Sequence, residues 1–339
     1  MKAYQVKAGA GIAGLELVER PSRDPGANEI RVRIDATSLN NRDLSFARGA
    51  FYSSPSYPIV PLVDGCGEVI AVGAAVTRFK TGDRVITSYY PRWSDGALSA
   101  AKTAVSFGAQ VDGTLAEEIV ASEEAFVLAP RHLDPVAAAT LTCAGVTAWN
   151  ALFVAGAARP GATVLLLGTG GVSLWALQLA KAAGLRTIVT SSQDDKLDRV
   201  RVLGTDATIN YQTTTEWQEQ VLSLTDGIGA DVVVEVGGEG TLTRSLKATG
   251  PGGTVVVVGR VSGSGGVSIE PGMLIGGAKR LVGVTAGSRD MLEQLVRFVE
   301  INHIVPVIDK VFPFHEAPAA YAYLSSQKHL GKVAISMHS

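Results

Sequence analysis

The stretch TVLLLGTGGVSLWALQLAKAAG, residues 163–184, constrains the fold of this chain more than any other. Five residues of buried-strand character run into a glycine turn, and the turn opens a stretch whose apolar residues recur with helical spacing. In such a turn Gly168 permits the tight bend and Gly170 lets the backbone approach a pyrophosphate. Gly171 and Val172 begin the helix, whose N-terminus offers free N–H groups and a partial positive charge. Ser173 stands where the third glycine of a G-x-G-x-x-G pattern usually falls. Alone, the turn is a weak signal, because any strand-to-helix turn can be glycine-rich. Its surroundings give it weight. Short apolar strands at 163–167, 187–190, 207–210, 231–235, 254–258 and 280–284 alternate with helical stretches at 171–183, 194–203, 217–224, 241–249 and 273–276. Regular βαβ alternation specifies an α/β, doubly wound parallel sheet with helices on both faces, and the glycine turn then implies a dinucleotide.

The choice of dinucleotide depends on the end of the second strand, where an acidic side chain would hold the ribose 2′-OH of NAD. Here the residues are Ser191 and Ser192. Neither repels a 2′-phosphate, and both can donate hydrogen bonds to it. Lys196, one turn into the next helix, adds positive charge. Tyr211, ending ATINY, is placed to close the same pocket with its hydroxyl. The reading is NADP(H); the alternative is that Asp194 or Asp195 takes the ribose and Lys196 is a solvated helix residue.

Residues 1–129 have a different period. IRVRIDA (30–36) and GDRVITS (82–88) alternate in strand fashion between Gly, Pro and Asp turns, which predicts a mostly antiparallel β domain. Residues 89–114 break that pattern in a segment longer than an ordinary loop, and read as a lid or a covering flap. After a helix at 288–301, VIDKVFPF and GKVAIS return to strand character, so the C-terminus rejoins the first domain. The predicted organisation is 1–129 with 286–339 as one domain and 130–285 as an insertion. Its length of 339 residues fits two domains. A net charge of -2 without Lys/Arg clusters disfavours nucleic acid as a partner. The apolar runs TVLLLG and GTVVVVG are much shorter than the roughly 20 residues of a membrane span. Two cysteines, Cys66 and Cys143, and an N-terminus without an apolar leader point to a reduced cytoplasm.

Together with this order of domains, GEVIAVGAAVTRFKTGDRV, DGTLAEEIV, LTCAGVTAWNAL, GTGGVSLWALQLAKAAG and GKVAIS resemble the medium-chain dehydrogenase/reductase superfamily over nearly the whole chain. SLNNRDL and GTGGVSL are similar to its zinc-free branch of quinone oxidoreductases, enoyl reductases and alcohol dehydrogenase-like proteins. The resemblance implies a Rossmann domain inserted in a GroES-like β domain. It also implies that Thr147 meets the nicotinamide end of the cofactor, and that Val258, Gly259 and Arg260 meet the carboxamide.

In zinc-bearing relatives the metal is held at the positions occupied here by Asn40, by Val63 with Asp64, and by Cys143. Asn and Val are not zinc ligands, and one thiol with one carboxylate falls below the three protein ligands of a catalytic site. Cys66 is expected to pack in its glycine turn, residues 89–114 lack the four cysteines of a structural zinc lobe, and the five histidines are scattered. No metal is expected. Without zinc, activating an alcohol for oxidation is difficult, whereas hydride delivery to a quinone or α,β-unsaturated carbonyl builds charge on an oxygen that hydrogen-bond donors stabilise. Candidate donors are Asn40, Asn41 and Tyr52, with Arg42 as a fixed charge. The resemblance places Asn40 and Asp43 near the nicotinamide, although residues of these types also cap helices. Tyr52 reads more readily as an aromatic packed under the long loop. The reading is therefore an NADPH-dependent, zinc-independent oxidoreductase of quinones or enones. The alternatives are a zinc-independent alcohol dehydrogenase or carbonyl reductase, and a catalytically quiet NADPH-binding protein. The sixth strand, RLVGVTAG from Arg280 to Gly287, is expected at a sheet edge, where it would pair with a second copy to make a homodimer.

Overall fold

The computed structural model describes residues 1–51, 54–263 and 265–338, and divides into two units. One comprises Met1–Val146 and Gly287–Ser339, the other Thr147–Ala286. The expected boundary at 129 lies earlier than this division. The reason is packing: Pro135–Ala139 and the turn of π-helix Leu141–Gly145 lie against strands of the first unit, and Ala137, Ala138, Ala139 and Leu141 are buried.

The first unit contains β1 (Lys2–Gln5), β2 (Glu16–Glu19), β3 (Glu29–Leu39), β4 (Asp64–Val72), β5 (Arg84–Thr87), β6 (Glu118–Ser122) and β7 (Phe126–Leu128). The long strand β3 shows the alternation read from IRVRIDA: Ile30, Val32, Ile34 and Ala36 are buried between more exposed neighbours. It is the centre of the sheet, pairing antiparallel with β4 and β6.

The second unit holds β8 (Thr163–Leu167), β9 (Arg186–Ser191), β10 (Ala207–Asn210), β11 (Ala230–Glu235), β12 (Thr249–Val257) and β13 (Arg280–Gly283). All pair in parallel, in the spatial order β10-β9-β8-β11-β12-β13. That is the doubly wound order, with its switch point between β8 and β11. Helices Gly171–Ala182, Asp194–Val202, Trp217–Leu224 and Leu242–Ala248 connect the strands. Val164, Leu165, Leu166, Val233, Val234, Val255 and Val256 are fully buried, as strands covered on both faces require.

The chain then returns to the first unit as β14 (Ile308–Pro313) and β15 (Lys332–Ser336). Strand β15 pairs antiparallel with β3, placing Val333 opposite Leu39, so the last residues of the chain complete the first sheet.

Two sequence readings gain detail in the structure. The short apolar runs suggested nothing of membrane-spanning length, yet Pro135–Ala155 forms a continuous helical run of 21 residues with mean hydropathy 1.4. Most of it, 78%, is buried in the protein, as in a core helix. Residues 89–114, read from sequence as a lid or a covering flap, are ordered by their own contacts. Trp93 and Phe107 are buried, Trp93 Nε1 donates to Gly96 O at 3.0 Å, and Lys102 Nζ, beside the short helix Ala100–Thr103, donates to Asp95 O and Ala97 O at 2.7 and 3.0 Å. The segment packs as a covering flap.

Candidate active site

The polar cluster of the first unit is assembled where β3 ends between β4 and β15. Register places Ser38 opposite Asp64 and Leu39 opposite Val333, so the next residue of each neighbouring strand faces the start of the loop at Asn40. Three sequence-distant side chains meet there. Lys332 Nζ donates to Asn40 Oδ1 at 2.6 Å, to Leu39 O at 2.7 Å and to Asp64 Oδ2 at 3.1 Å. The same Asp64 oxygen accepts from Ser38 Oγ at 2.5 Å and from Asn40 Nδ2 at 3.0 Å. Asp64 is fully buried and Lys332 is 3% exposed, so each charge depends on the other in a medium that solvates neither.

Strain and hydroxyls aim Asp64. Leu62, two residues earlier, holds φ 71°, a region that residues with side chains rarely adopt. Its carbonyl accepts from Thr114 N at 3.0 Å, and a Cβ on Gly113 would lie 1.9 Å from that oxygen. Glycine there is what admits the close approach. The hydroxyls of Thr37 and Thr114 both donate to Asp64 O, the latter at 2.7 Å, and Thr87 Oγ1 donates to Val63 O at 2.6 Å.

The sequence candidates divide sharply. Asn40 is the N-cap of Asn41–Ala47 in a capping box with Asp43, and its side chain also belongs to the Lys332–Asp64 cluster. Asp43 does serve the helix start: its Oδ2 accepts from Asn40 N at 2.8 Å. Its Oδ1 is buried without a hydrogen-bond partner, and burial, against the opposing pull of Arg42 and with Asp64 adding, pushes its carboxyl up to about 6. Arg42 donates to Phe107 O and Ser106 Oγ, both at 3.0 Å, and stacks 4.6 Å from the Tyr89 ring centroid. It anchors the flap. Asn41 is exposed, and Tyr52 lies outside the described residues. A cavity of about 810 Å³ elsewhere in this unit, lined by Tyr57, Arg92, Val111 and Asp112 among others, includes none of the cluster residues.

These residues do not fit a catalytic zinc. Val63 offers no donor, the side-chain oxygen of Asn40 is occupied by an ammonium, and desolvation, with Asp64 adding, pushes the Cys143 thiol well above its usual range. Among the described residues no group of three or more His, Cys, Asp or Glu side chains is arranged to hold a metal. Cys66 is buried, and burial pushes its thiol up to about 12, consistent with packing.

In the second unit the glycine turn has the required geometry. Gly168 has φ 73° and Gly170 has open space where a Cβ would point. Gly170 is the N-cap of Gly171–Ala182 and supplies no side-chain cap, which leaves the first backbone N–H groups for a ligand anion. Ser173 explains the missing third glycine: its hydroxyl donates to Leu167 O at 2.7 Å, tying the helix to the strand. Ser191 ends β9, buried, with its Oγ accepting from Gln193 N at 3.4 Å. Ser192 is half-buried, Tyr211 is 38% exposed, and Tyr211 N donates to Ser191 O, so these residues converge. Lys196 is buried in the first turn of its helix, not solvated. Asp194 is exposed and accepts from Asn210 Nδ2 at 2.8 Å, while Asp195 is also exposed. Thr147 is buried; Val258 and Gly259 are half-buried beyond the end of β12, and Arg260 is exposed.

Sequence reasoning missed Lys332 and Glu235. Each is a charge in an apolar strand, in GKVAIS and DVVVEV, which is the one signal that could have flagged them. Glu235 is fully buried at the end of β11 and accepts from Gly237 N at 2.7 Å, Gly238 N at 3.0 Å, Thr241 Oγ1 at 2.6 Å and Ser245 Oγ, shaping the turn that follows.

The Zinc-binding dehydrogenase family matches residues 171–300, and the Alcohol dehydrogenase GroES-like domain matches residues 26–131. The Zinc-type alcohol dehydrogenase-like protein of Schizosaccharomyces pombe is 39% identical, over 93% of this chain and 92% of its own. The Quinone oxidoreductase of Pseudomonas aeruginosa is 32% identical, over 98% and 99%. A crystal structure of an NAD-dependent alcohol dehydrogenase superposes with a TM-score of 0.90 at 32% identity, covering 99% of this chain and 100% of that one.

Proposed function

The chain belongs to the medium-chain dehydrogenase/reductase superfamily and is an NAD(P)H-dependent oxidoreductase, and from that premise we propose that it is an NADPH-dependent, zinc-independent reductase of quinones or α,β-unsaturated carbonyls. The observation that carries this reading is the Asn40–Asp64–Lys332 cluster, where an ammonium and an amide stand in place of a metal and its ligands. A bound nicotinamide supplies hydride. The protein has to hold the acceptor and stabilise the oxygen on which charge grows, a task for a neutral donor such as the Asn40 amide. A conjugated acceptor suits such a donor because hydride arrives at carbon remote from that oxygen.

NADPH is favoured over NADH because Ser191 ends β9 and Ser192 follows it, with no acidic side chain at either position, and Asp194 is engaged by Asn210. Gly168, Gly170, Gly171 and Val172 would cradle the pyrophosphate, with Ser191, Ser192, Lys196 and Tyr211 about the 2′-phosphate and Thr147, Val258, Gly259 and Arg260 toward the nicotinamide. The enzyme is assigned to the cytoplasm. Strand β13 pairs only with β12 among the described residues, and Leu281 and Val282 are half-buried, which supports a two-fold dimer through this edge. An alcohol dehydrogenase or carbonyl reductase is the second reading, favoured by the S. pombe relative. Incubation of the protein with NADPH or NADH and a panel of quinones, enones and aldehydes tests the assignment: NADPH with quinone or enone should turn over fastest. Equal binding of NADH and NADPH, or turnover confined to aldehydes, would reject it.

A further inference from the structure

We propose that Lys332 and Asp64 are positioning residues whose combined hydrogen bonds fix the Asn40 amide in one orientation, with one N–H left over to serve the substrate oxygen. The inference rests on the reading of Asn40 as the substrate-facing donor.

Chemistry fixes the orientation without ambiguity. An ammonium has only donors, so the Asn40 atom 2.6 Å from Lys332 Nζ is the amide oxygen. An ionised carboxylate only accepts, so the atom 3.0 Å from Asp64 Oδ2 is the amide nitrogen. Flipping the amide would bring NH₂ against the ammonium and oxygen against the carboxylate, two repulsive contacts in place of two charge-assisted bonds. Asn40 is thereby held from both sides. Its nitrogen carries two hydrogens, one is used by Asp64, and the other has no partner among the described residues; the residue is half-exposed. Lys332 is excluded as the donor itself, because its three hydrogens are taken by Leu39 O, Asn40 Oδ1 and Asp64 Oδ2. The cluster therefore converts a buried ion pair into directionality for one neutral donor, and the charge nearest that amide polarises it through its oxygen.

The test compares Asn40→Ala with the double variant Lys332→Met/Asp64→Asn, using 1,4-benzoquinone and 2-cyclohexenone as probes with NADPH. The double variant removes both charges together, so no buried charge is left unpaired. For each protein kcat, KM, the NADPH Kd and the unfolding midpoint are measured. Asn40→Ala should lower kcat about 100-fold. The double variant should lower kcat at least about tenfold while the NADPH Kd and the unfolding midpoint stay close to wild type, a split that a merely structural role would not produce. If Asn40→Ala retains wild-type kcat, Asn40 does not touch the substrate oxygen and the underlying reading fails. If Asn40→Ala is impaired but the double variant has wild-type kcat, the positioning role is overturned. Should the double variant fail to fold, Lys332→Arg, which keeps the charge but changes the donor geometry, must show the same fall in kcat at unchanged NADPH Kd, and wild-type kcat in that variant overturns the proposal.

Discussion

The two polar regions of this molecule are built on opposite plans. At the glycine turn after β8, the groups proposed to meet the ligand are backbone N–H donors at a helix start without a side-chain cap. At the end of β3, the groups are charged and polar side chains, and the Lys332 ammonium and Asp64 Oδ2 are already used, while Asp64 Oδ1 is buried without a hydrogen-bond partner. The first region stores capacity for an anion that the protein does not supply. The second supplies its own cation and anion and leaves one amide hydrogen and one carboxylate oxygen of Asp64. The contrast separates binding from chemistry: an open cradle attracts any phosphate, whereas a saturated cluster can only present what its internal bonds leave free.

The sharpest way to break the contrast is to leave the saturated cluster half-charged. Lys332→Met strands the carboxylate of Asp64, which is fully buried and would keep only Ser38 and Asn40 as donors. A loss of about 3 to 5 kcal/mol in unfolding free energy is expected in urea titrations. A loss below about 1 kcal/mol, the range of exposed pairs, would mean that the pair is solvated.

The open cradle should respond in affinity and not in stability. Ser191→Asp sets a carboxylate beside the 2′-phosphate, and NADPH binding should weaken by about 1.5 to 3 kcal/mol, the value of a hydrogen bond to a charged group. The unfolding midpoint should barely move. Fluorescence titration with NADPH and NADH checks both the loss and the expected shift of preference toward NADH.

Asp43 sharpens the comparison through pH. Its carboxyl is raised from its ordinary 3.8 to about 6 because burial disfavours the charge. The fold therefore prefers the protonated form, and the stabilisation is complete below about 4 and disappears as pH rises through 6. A difference on the order of 3 kcal/mol should appear across that window and be absent in Asp43→Asn. Chemical denaturation at pH 4 and pH 7 measures it, and an unchanged slope in the variant would reject the assignment to this residue.

The smallest effect belongs to Ser173→Ala. Losing the bond to Leu167 O should cost about 1 kcal/mol in stability and leave NADPH affinity nearly unchanged, because the backbone of the cradle remains. A large loss of affinity would instead place the hydroxyl in the binding surface.

The same contrast explains what the sequence reveals. The cradle is contiguous, so Gly168, Gly170, Ser173 and the flanking strand and helix are legible as one string, and the regular alternation around them specifies a parallel, doubly wound sheet. The helix at 194–203 and the strand at 207–210 were equally clear because their periods are local; Asp194–Val202 and Ala207–Asn210 occupy those positions. The cluster is non-local. Asn40, Asp64 and Lys332 belong to three segments, and only the register of β3 with β4 and β15 brings them together. Asn40 and Asp43 can be read from sequence as substrate contacts or as caps, and in the structure they share a capping box while Asn40 also reaches Lys332 and Asp64. Residues 89–114 looked irregular because their order comes from tertiary contacts, chiefly buried Trp93, the Lys102 clasp and the Arg42 anchor, and not from any period.

The most direct measurement of the central claim is the rate of NADPH oxidation by a quinone in protein exhaustively treated with a chelator, with metal content determined on the same sample. An enzyme that stabilises its substrate oxygen with the Asn40 amide should hold far less than one zinc per chain and keep its full rate. A stoichiometric zinc whose removal abolishes turnover, and whose return restores it, would contradict the account.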